Sequence, residues 1–315
     1  MLAGVPAGDV VVLDGLVCSD RPCTVRPEVG RLRLVVLVHL PLALEPSSSK
    51  RPQTRSREAE VLRAVHAVVT TSRWSRQWLV DAYGLDPAWV SVAVPGAERG
   101  ALARGSPGGR HLLCVGAVVP AKGHDVLLEA LARVSVGDWR LEVVGTRDRD
   151  PGFAARLRER AAALGLAERV SFTGPLVGSD LAAAYARADL LVSTSRLETY
   201  GMVVTEALAH GLPVLATRVG GVPQALGRVP GGGRPGILVP VDDVGAVVGW
   251  LERWFGDPAL RGHLREAAVE RRESLPTWRS TSAEVARVLA RVTAGGEPVG
   301  GPARSPGRTG GPEHG

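Results

Sequence analysis

The stretch Glu198-Thr-Tyr-Gly-Met-Val-Val-Thr-Glu206 places two carboxylates eight positions apart on either side of a glycine. An apolar run at 189–195 precedes it and is typical of a strand that ends in a polar loop. Residues 202–210 are typical of a helix, because Gly211 follows them in the C-cap position. The pattern therefore predicts that the first carboxylate lies in a strand-to-helix loop and that the second lies about one turn inside the helix.

The start of this predicted helix has the properties of an anion site. The backbone N–H groups of Tyr200, Gly201 and Met202 would lie at the helix N-terminus, where unpaired donors and the helix dipole favour an anion. Gly201 has no side chain, so a ligand can approach the backbone closely there. An anion seat flanked by Glu198 and Glu206 suits a molecule with both phosphate and many hydroxyl groups, such as a nucleotide sugar.

Three ordered motifs carry a family resemblance. The run from Ser195 to Gly221, which contains the two glutamates, resembles the donor-site signature of retaining glycosyltransferases of family 4. The segment Val115-Gly-Ala-Val-Val-Pro-Ala-Lys-Gly-His-Asp-Val-Leu-Leu-Glu-Ala-Leu131 is similar to a second motif of that family. The segments 170–176 and 185–192 are similar to a third. The resemblance covers roughly residues 60 to 290, and its motifs are specific for the family but not for a substrate.

The resemblance implies an α/β fold of the GT-B type, with two Rossmann-like doubly wound domains and a cleft between them. We expect an acceptor-side domain over 1–108, a nucleotide-sugar donor domain with closing helices over 109–293, and a disordered Gly/Pro tail over 294–315. In the donor domain, the predicted strands are 111–116, 140–144, 169–172, 189–193, 213–216 and 237–239. Its predicted helices are 123–135, 152–164, 180–187, 202–210, 222–226, 246–272 and 281–292.

The first domain is short for a GT-B protein. The pattern predicts strands at 10–13, 31–39, 67–71 and 90–94, helices at 58–65 and 73–83, and a polar, basic loop at 45–57. The family's usual first strand and its glycine-rich loop have no counterpart. Either the protein's start lies upstream of Met1 or this domain is reduced.

The charge of the chain bears on its partners. The net charge is +6 and the pI is near 9.9, but only Lys50 and Lys122 among the 38 basic residues are lysines, so 36 are arginines. Aromatic residues make up only 4% and no basic run is interleaved with them, which argues against a nucleic-acid partner. The basic charge leaves room for a peripheral contact with an acidic membrane surface.

The remaining composition indicates a cytoplasmic protein, either free or peripheral at the inner face of the membrane. No long apolar segment or signal-peptide pattern is present. Cys18, Cys23 and Cys114 are odd in number and have no metal-ligand spacing, so we expect reduced thiols. The aspartates in Asp148-Arg-Asp150 are interpreted as a polar loop, and we expect neither a metal nor a cofactor.

The resemblance assigns the donor-binding residues. Lys122 is expected to place its ammonium group on the diphosphate, next to the backbone at Gly116. The family usually has an arginine directly after that glycine, and Ala117 stands there instead, so another arginine must substitute if the contact is kept. Glu206 is expected to accept hydrogen bonds from the ribose hydroxyls, because a carboxylate suits a vicinal diol.

Further residues are assigned to the sugar and the base. Glu198 is expected near the transferred sugar, and His39, at the end of a strand, is expected to contact the donor sugar or its phosphate. Pro175 and Leu176 are expected to wall the base, which leaves uridine and guanosine undistinguished. The substrate-binding set is completed by the backbone of residues 200–202.

The reaction implied by the resemblance is retaining sugar transfer from a UDP- or GDP-sugar to an unknown hydroxyl acceptor. A departing phosphate oxygen can take the proton of the acceptor, so no separate protein base is required. Three alternatives remain open. They are a non-catalytic or N-terminally truncated GT-B relative that binds nucleotide sugar, a GT-B enzyme of another reaction type such as an epimerase, and a nucleic-acid-binding module.

Overall fold

Two sheets organise the residues that the structure describes, which are 2–44 and 51–295 of a computed structural model. The strands are β1 (Val10–Asp14), β2 (Arg33–Val38), β3 (Ala67–Thr70), β4 (Val90–Val92), β5 (His111–Val115), β6 (Arg140–Val144), β7 (Val170–Gly174), β8 (Leu190–Ser193), β9 (Val214–Thr217) and β10 (Gly236–Val239). The first sheet has the order β1-β2-β3-β4 and the second has the order β10-β9-β8-β5-β6-β7. The strands predicted from the sequence are all present, within two residues at each end.

The helices mostly connect these strands. They are α1 (Gly15–Cys18), α2 (Pro22–Val25), α3 (Arg51–Ala64), α4 (Arg73–Tyr83), α5 (His124–Arg133), α6 (Pro151–Ala163), α7 (Gly178–Arg187), α8 (Met202–Ala209), α9 (Val222–Leu226), α10 (Val244–Gly256), α11 (Pro258–Glu273) and α12 (Trp278–Thr293). None of the helices in the described part of the chain is both long and apolar enough to cross a bilayer.

The chain divides into two compact units. The first unit comprises the described residues of 1–70, 76–91 and 285–315, and the second comprises 71–75 and 92–284. The first turn of α4 therefore groups with the second unit, and the end of α12 groups with the first. Arg33 of β2 donates to the Val292 carbonyl of α12 at 2.7 Å, which shows how the end of α12 is held within the first unit.

The first unit differs from its prediction at α3. Residues 51–57, expected to be a polar loop, form the first two turns of this helix, and residues 45–50 lie outside the described residues. The polar composition suggested a loop because the first apolar core residues come only at Ala59 and Val61. Pro52 is compatible with the first turn, where a missing N–H costs nothing.

The second unit has a doubly wound parallel sheet. Its five strand pairs are all parallel, and β5 lies between β6 and β8. The chain therefore runs from β5 outward to β7 and then returns to the other side of β5 with β8. Buried apolar side chains cover both faces of this sheet in two clusters. The point where the strand order reverses, between β5 and β8, is where such sheets bind ligands.

The predicted helix at 246–272 is interrupted. Asp257 accepts a hydrogen bond from the Leu260 N–H at 3.0 Å and caps α11, and Pro258 occupies the first position of that helix. The two helices therefore meet at this Asp-Pro pair. The predicted tail begins in the turn at 294–295, and its remainder, 296–315, lies outside the described residues.

Candidate functional site

The loops after β5 and β8 meet at the switch point of the second sheet. The loop after β5 forms a short 3-10 turn, Pro120–Lys122, and Gly123 follows with φ 64°. A Cβ at Gly123 would overlap the carbonyl oxygen of Thr194, and the Thr194 hydroxyl donates to the Gly123 carbonyl at 2.8 Å. A side chain at residue 123 would therefore separate the two loops.

Lys122 and Glu198, which the sequence assigned to the diphosphate and the sugar, form an ion pair across these loops. The Lys122 Nζ lies 2.5 Å from Glu198 Oε1, and the Ser195 hydroxyl donates to the same oxygen at 2.9 Å. The Glu198 side chain is 12% exposed and that of Lys122 is 26% exposed. Both groups are thus held in place but still reachable from solvent.

Arg196 fastens the same two loops and was not predicted. Its guanidinium binds both carboxylate oxygens of Asp125 at 2.9 and 2.8 Å and one of Asp242 at 2.7 Å. Burial alone would raise the pKa of Asp125, but the hydrogen bonds and charge of Arg196 outweigh it and hold that pKa below its ordinary value. Two carboxylates already engage this arginine, so it is a poor substitute for the one missing at Ala117.

Backbone N–H groups stand at the start of α8. Gly201 is the N-cap with φ 96°, and α8 begins at Met202. Among the described residues, the N–H groups of 199–203 find no acceptor. The side chain of Tyr200 is 3% exposed and packs in the core, where burial raises its pKa to about 12. Tyr200 can therefore offer a ligand only its backbone.

Glu206 lies one turn into α8 and is oriented by a phenol. The Tyr185 hydroxyl donates to Glu206 Oε2 at 2.7 Å, and the Tyr185 ring stacks on His210 with centroids 5.2 Å apart. The His210 Nδ1 is itself 2.7 Å from the Ala101 carbonyl. One carboxylate oxygen of Glu206 thus accepts from a phenol. The other oxygen accepts no hydrogen bond from the described side chains and is suited to a diol.

The remaining predicted site residues occupy the ends of strands. Gly116 follows β5, and its N–H donates to the Val144 carbonyl at 2.8 Å. Pro175 is exposed and Leu176 is half-buried directly after β7, two strands from β5. His39 follows β2 in the first unit and is exposed, with its Nε2 4.0 Å from Asp14.

His124 is the most unusual buried side chain near Lys122. It is 2% exposed, and neither ring nitrogen has a hydrogen-bond partner among the described residues. Burial and the charge of Lys122 lower its pKa to about 4, against a smaller opposing effect of Asp125. Its imidazole is therefore neutral at physiological pH.

The sequence missed the side chains that orient the assigned ones. Ser195 and Arg196 begin the motif at 195–221, but the sequence does not show which residue a hydroxyl or a guanidinium there will bind. Tyr185 also lies in a quoted motif, and its partner is 21 residues away. Such pairings depend on which strands are neighbours.

The chain is similar to known glycosyltransferases. Residues 109–257 match the family model described as glycosyl transferases group 1. A D-inositol 3-phosphate glycosyltransferase of Streptosporangium roseum is 33% identical over 265 residues, which cover 78% of this chain and 60% of that protein. The protein of the same name in Geodermatophilus obscurus is 34% identical over 276 residues, covering 78% and 57%. This chain thus spans about 60% of the length of these relatives.

Solved structures show the same fold. Sucrose-phosphate synthase of Thermosynechococcus elongatus matches with a TM-score of 0.75 at 22% identity, covering 90% of this chain and 74% of that one. Anabaena HepE in complex with UDP-glucose matches with a TM-score of 0.70 at 20% identity, covering 82% and 73%. The fold is therefore of the GT-B type, and the match to the glycosyl transferases group 1 model over 109–257 lies within the second unit.

Proposed function

We propose that this protein is a retaining glycosyltransferase that moves a sugar from a nucleoside diphosphate to a hydroxyl acceptor. The observation that carries the proposal is the Lys122–Glu198 ion pair at the switch point, beside the unpaired N–H groups that open α8. A cation and a helix start provide for a diphosphate, and a carboxylate provides for a sugar. The group 1 domain over 109–257 supports the same reaction class.

Binding of the diphosphate needs only groups of this chain in our proposal. The N–H donors of 199–203 and the dipole of α8 attract the phosphate oxygens, and the Lys122 ammonium neutralises a further charge. Entry of the diphosphate gives Lys122 an alternative partner and releases part of Glu198 for the sugar. Gly116 lies beside this lysine, because a Cβ there would be in ordinary contact with the Lys122 side chain at 3.5 Å.

The nucleoside is held by Glu206 and the loop after β7. Glu206 uses its second oxygen for the ribose hydroxyls while Tyr185 fixes the first. Pro175 and Leu176 wall the base, and backbone groups there contact its edge. The HepE structure contains UDP-glucose, so we propose a UDP-sugar as the donor to test first, with a GDP-sugar second.

Transfer proceeds with retention in this proposal. The diphosphate leaves, the acceptor hydroxyl attacks from the same face, and a departing phosphate oxygen takes its proton. Glu198 stabilises the positive charge that develops on the sugar ring, and His39 contacts the donor sugar or its phosphate. The relatives are named for D-inositol 3-phosphate, which makes this cyclitol phosphate the first acceptor to assay.

The cellular setting is proposed from charge. A net charge of +6 supports a cytoplasmic protein that contacts the acidic inner face of the membrane peripherally. Sedimentation with vesicles of anionic and neutral lipid measures this contact. Equal recovery with both vesicle types would contradict it.

Calorimetry and product analysis test the function together. We expect UDP or GDP to bind equally with and without EDTA, and Lys122→Ala to weaken that binding. We expect a sugar product with the anomeric configuration of the donor, read from its anomeric NMR signals. Binding abolished by EDTA would contradict the metal-free diphosphate site, and an inverted product would contradict the retaining mechanism.

A further inference from the structure

The backbone of residues 198–200 is held in one orientation from behind. The Glu198 carbonyl accepts from the Gly221 N–H at 3.1 Å, and the Thr199 carbonyl accepts from two serine hydroxyls, Ser72 at 2.5 Å and Ser75 at 3.3 Å. Both serines are fully buried. They belong to the segment 71–75, which groups with the second unit.

The orientation of these carbonyls fixes the orientation of the N–H donors. In a planar trans peptide, the C=O and the N–H of the same unit point in opposite directions. The Thr199 carbonyl shares its peptide with the Tyr200 N–H, and the Glu198 carbonyl shares its peptide with the Thr199 N–H. Holding the two carbonyls therefore turns the Thr199 N–H away from Gly221 and the Tyr200 N–H away from Ser72, and neither N–H has an acceptor among the described residues.

Ser72 uses its hydroxyl in two directions. Its Oγ accepts from the Ser75 N–H at 3.0 Å, so it caps the start of α4. A hydroxyl has one proton, and the shortest bond from Ser72 Oγ, at 2.5 Å, leads to Thr199. Capping alone needs only an acceptor, so the bond to Thr199 is a separate role of the same atom.

Gly220 and Gly221 pack against the same two carbonyl groups. A Cβ at Gly220 would overlap the Glu198 carbonyl oxygen, and a Cβ at Gly221 would overlap the Thr199 carbonyl oxygen. The glycine pair therefore allows its own backbone to lie directly against the loop. Packing brings the peptides close, and the serine hydroxyls set the direction in which they point.

We propose that Ser72, assisted by Ser75, is a positioning residue that directs the Tyr200 N–H group toward the donor diphosphate. The inference rests on the proposed function, because the diphosphate is the ligand that this donor serves. Ser72 itself points away from that ligand and acts through the peptide.

Nucleotide titrations of matched variants test this role. Ser72→Gly removes the hydroxyl but keeps a residue that caps helices well. We expect it to weaken UDP or GDP binding about five- to tenfold, as for a lost hydrogen bond between neutral groups, and to leave uridine or guanosine binding unchanged. Ser72→Thr keeps the hydroxyl and should restore the affinity. Ser75→Ala removes the longer bond without removing the cap and should cost about twofold.

Thr277→Gly is the matched control for capping. Thr277 Oγ1 accepts from the Ser280 N–H at 3.2 Å at the start of α12, and its hydrogen bonds do not involve the 198–203 loop. We expect its nucleotide affinities to equal those of the wild type, with a similar small fall in melting temperature.

The outcomes separate this inference from the proposed function. Unchanged diphosphate affinity in Ser72→Gly, or equal losses for UDP and uridine, would overturn the positioning role. If Ser72→Gly does not fold, a diphosphate-selective loss in Ser75→Ala supports the role and an unselective result overturns it. A wild-type protein that binds no nucleoside diphosphate would instead contradict the proposed function.

Discussion

Two carboxylates with few solvent contacts, Glu58 in the first unit and Glu198 in the second, are used in opposite ways. Glu58 is fully buried and accepts from three neutral donors, the Leu42 N–H at 2.9 Å, the Ala43 N–H at 3.2 Å and the Tyr83 hydroxyl at 2.5 Å. Burial raises its pKa, although these hydrogen bonds oppose the shift. Within residues 2–44 and 51–295, no cation forms an ion pair with Glu58.

Glu198 faces a cation instead. Lys122 and Ser195 share one of its oxygens, and its side chain keeps a 12% exposure. The difference separates a structural carboxylate from the carboxylate of our proposed donor site. The oxygens of Glu58 accept hydrogen bonds from the fold itself, whereas Glu198 is paired loosely enough for a ligand to replace its partner.

The largest expected effect is on the stability of the first unit. Glu58→Ala leaves two N–H groups and one phenol buried without an acceptor, so we expect the free energy of unfolding to fall by about 4 kcal/mol. Glu198→Ala should change it by less than about 1 kcal/mol, because a partly exposed ion pair contributes little. Urea unfolding followed by circular dichroism measures both values.

Glu58→Gln is the control for shape. The amide keeps the volume but replaces one acceptor with a donor that must face an N–H or the phenol. The free energy of unfolding of Glu58→Gln should therefore lie between those of Glu58→Ala and the wild type. Equal stabilities for Glu58→Ala and Glu198→Ala would remove the distinction between the two sites.

The pH dependence of stability tests the effect of burying the His124 ring without a hydrogen-bond partner among the described residues. Its pKa of about 4 in the folded protein lies below the ordinary value of 6.5. Between pH 6.5 and 4, the unfolded chain therefore binds a proton at His124 that the folded protein does not bind. Stability should therefore be unaffected above pH 6.5 and fall between pH 6.5 and 4, by about 3 kcal/mol in total.

The variant His124→Leu isolates this contribution, because it lacks the titrating ring and has a similar volume. The difference in unfolding free energy between variant and wild type, measured at several pH values, should grow as the pH falls through this window. A constant difference would mean that His124 takes up its proton in the folded protein.

The smallest effects, measured as ligand affinity and rate, distinguish Glu198, before α8, from Glu206, inside α8. Glu198→Gln should lower kcat about a hundredfold, equivalent to about 2.7 kcal/mol, and change UDP affinity less than threefold. Glu206→Ala should lower nucleotide affinity about tenfold or more, because it loses a charged hydrogen bond worth about 1.5–3 kcal/mol. Calorimetry with UDP and initial rates of UDP release measure the two quantities.

Tyr185→Phe provides the control for Glu206. It removes the phenol but keeps the carboxylate, so nucleotide affinity should fall by less than in Glu206→Ala. If Glu198→Gln and Glu206→Ala weaken UDP binding equally, the division between sugar and ribose is wrong.

Much of the second unit could be predicted from its sequence. Strand and helix periods located β5 to β10 and most of their helices, because each element is long enough to show a buried face. The first two turns of α3 were wrongly predicted as a loop, because they contain almost no apolar residue. The Asp257-Pro258 break was also missed, since a cap and an N1 proline can stand between two helices or within one predicted run.

The sequence by itself determined that a glycine-broken loop with two carboxylates opens a helix after a strand, and that Lys122 follows another strand. It could do so because spacing, caps and strand ends are local properties. Only the tertiary structure decided that β5 and β8 are neighbours, which brings Lys122 to Glu198 across 76 residues. It alone placed Ser72 behind a carbonyl 127 residues away. Those contacts depend on strand order and packing, and the hydrophobic periodicity of a single segment determines neither of them.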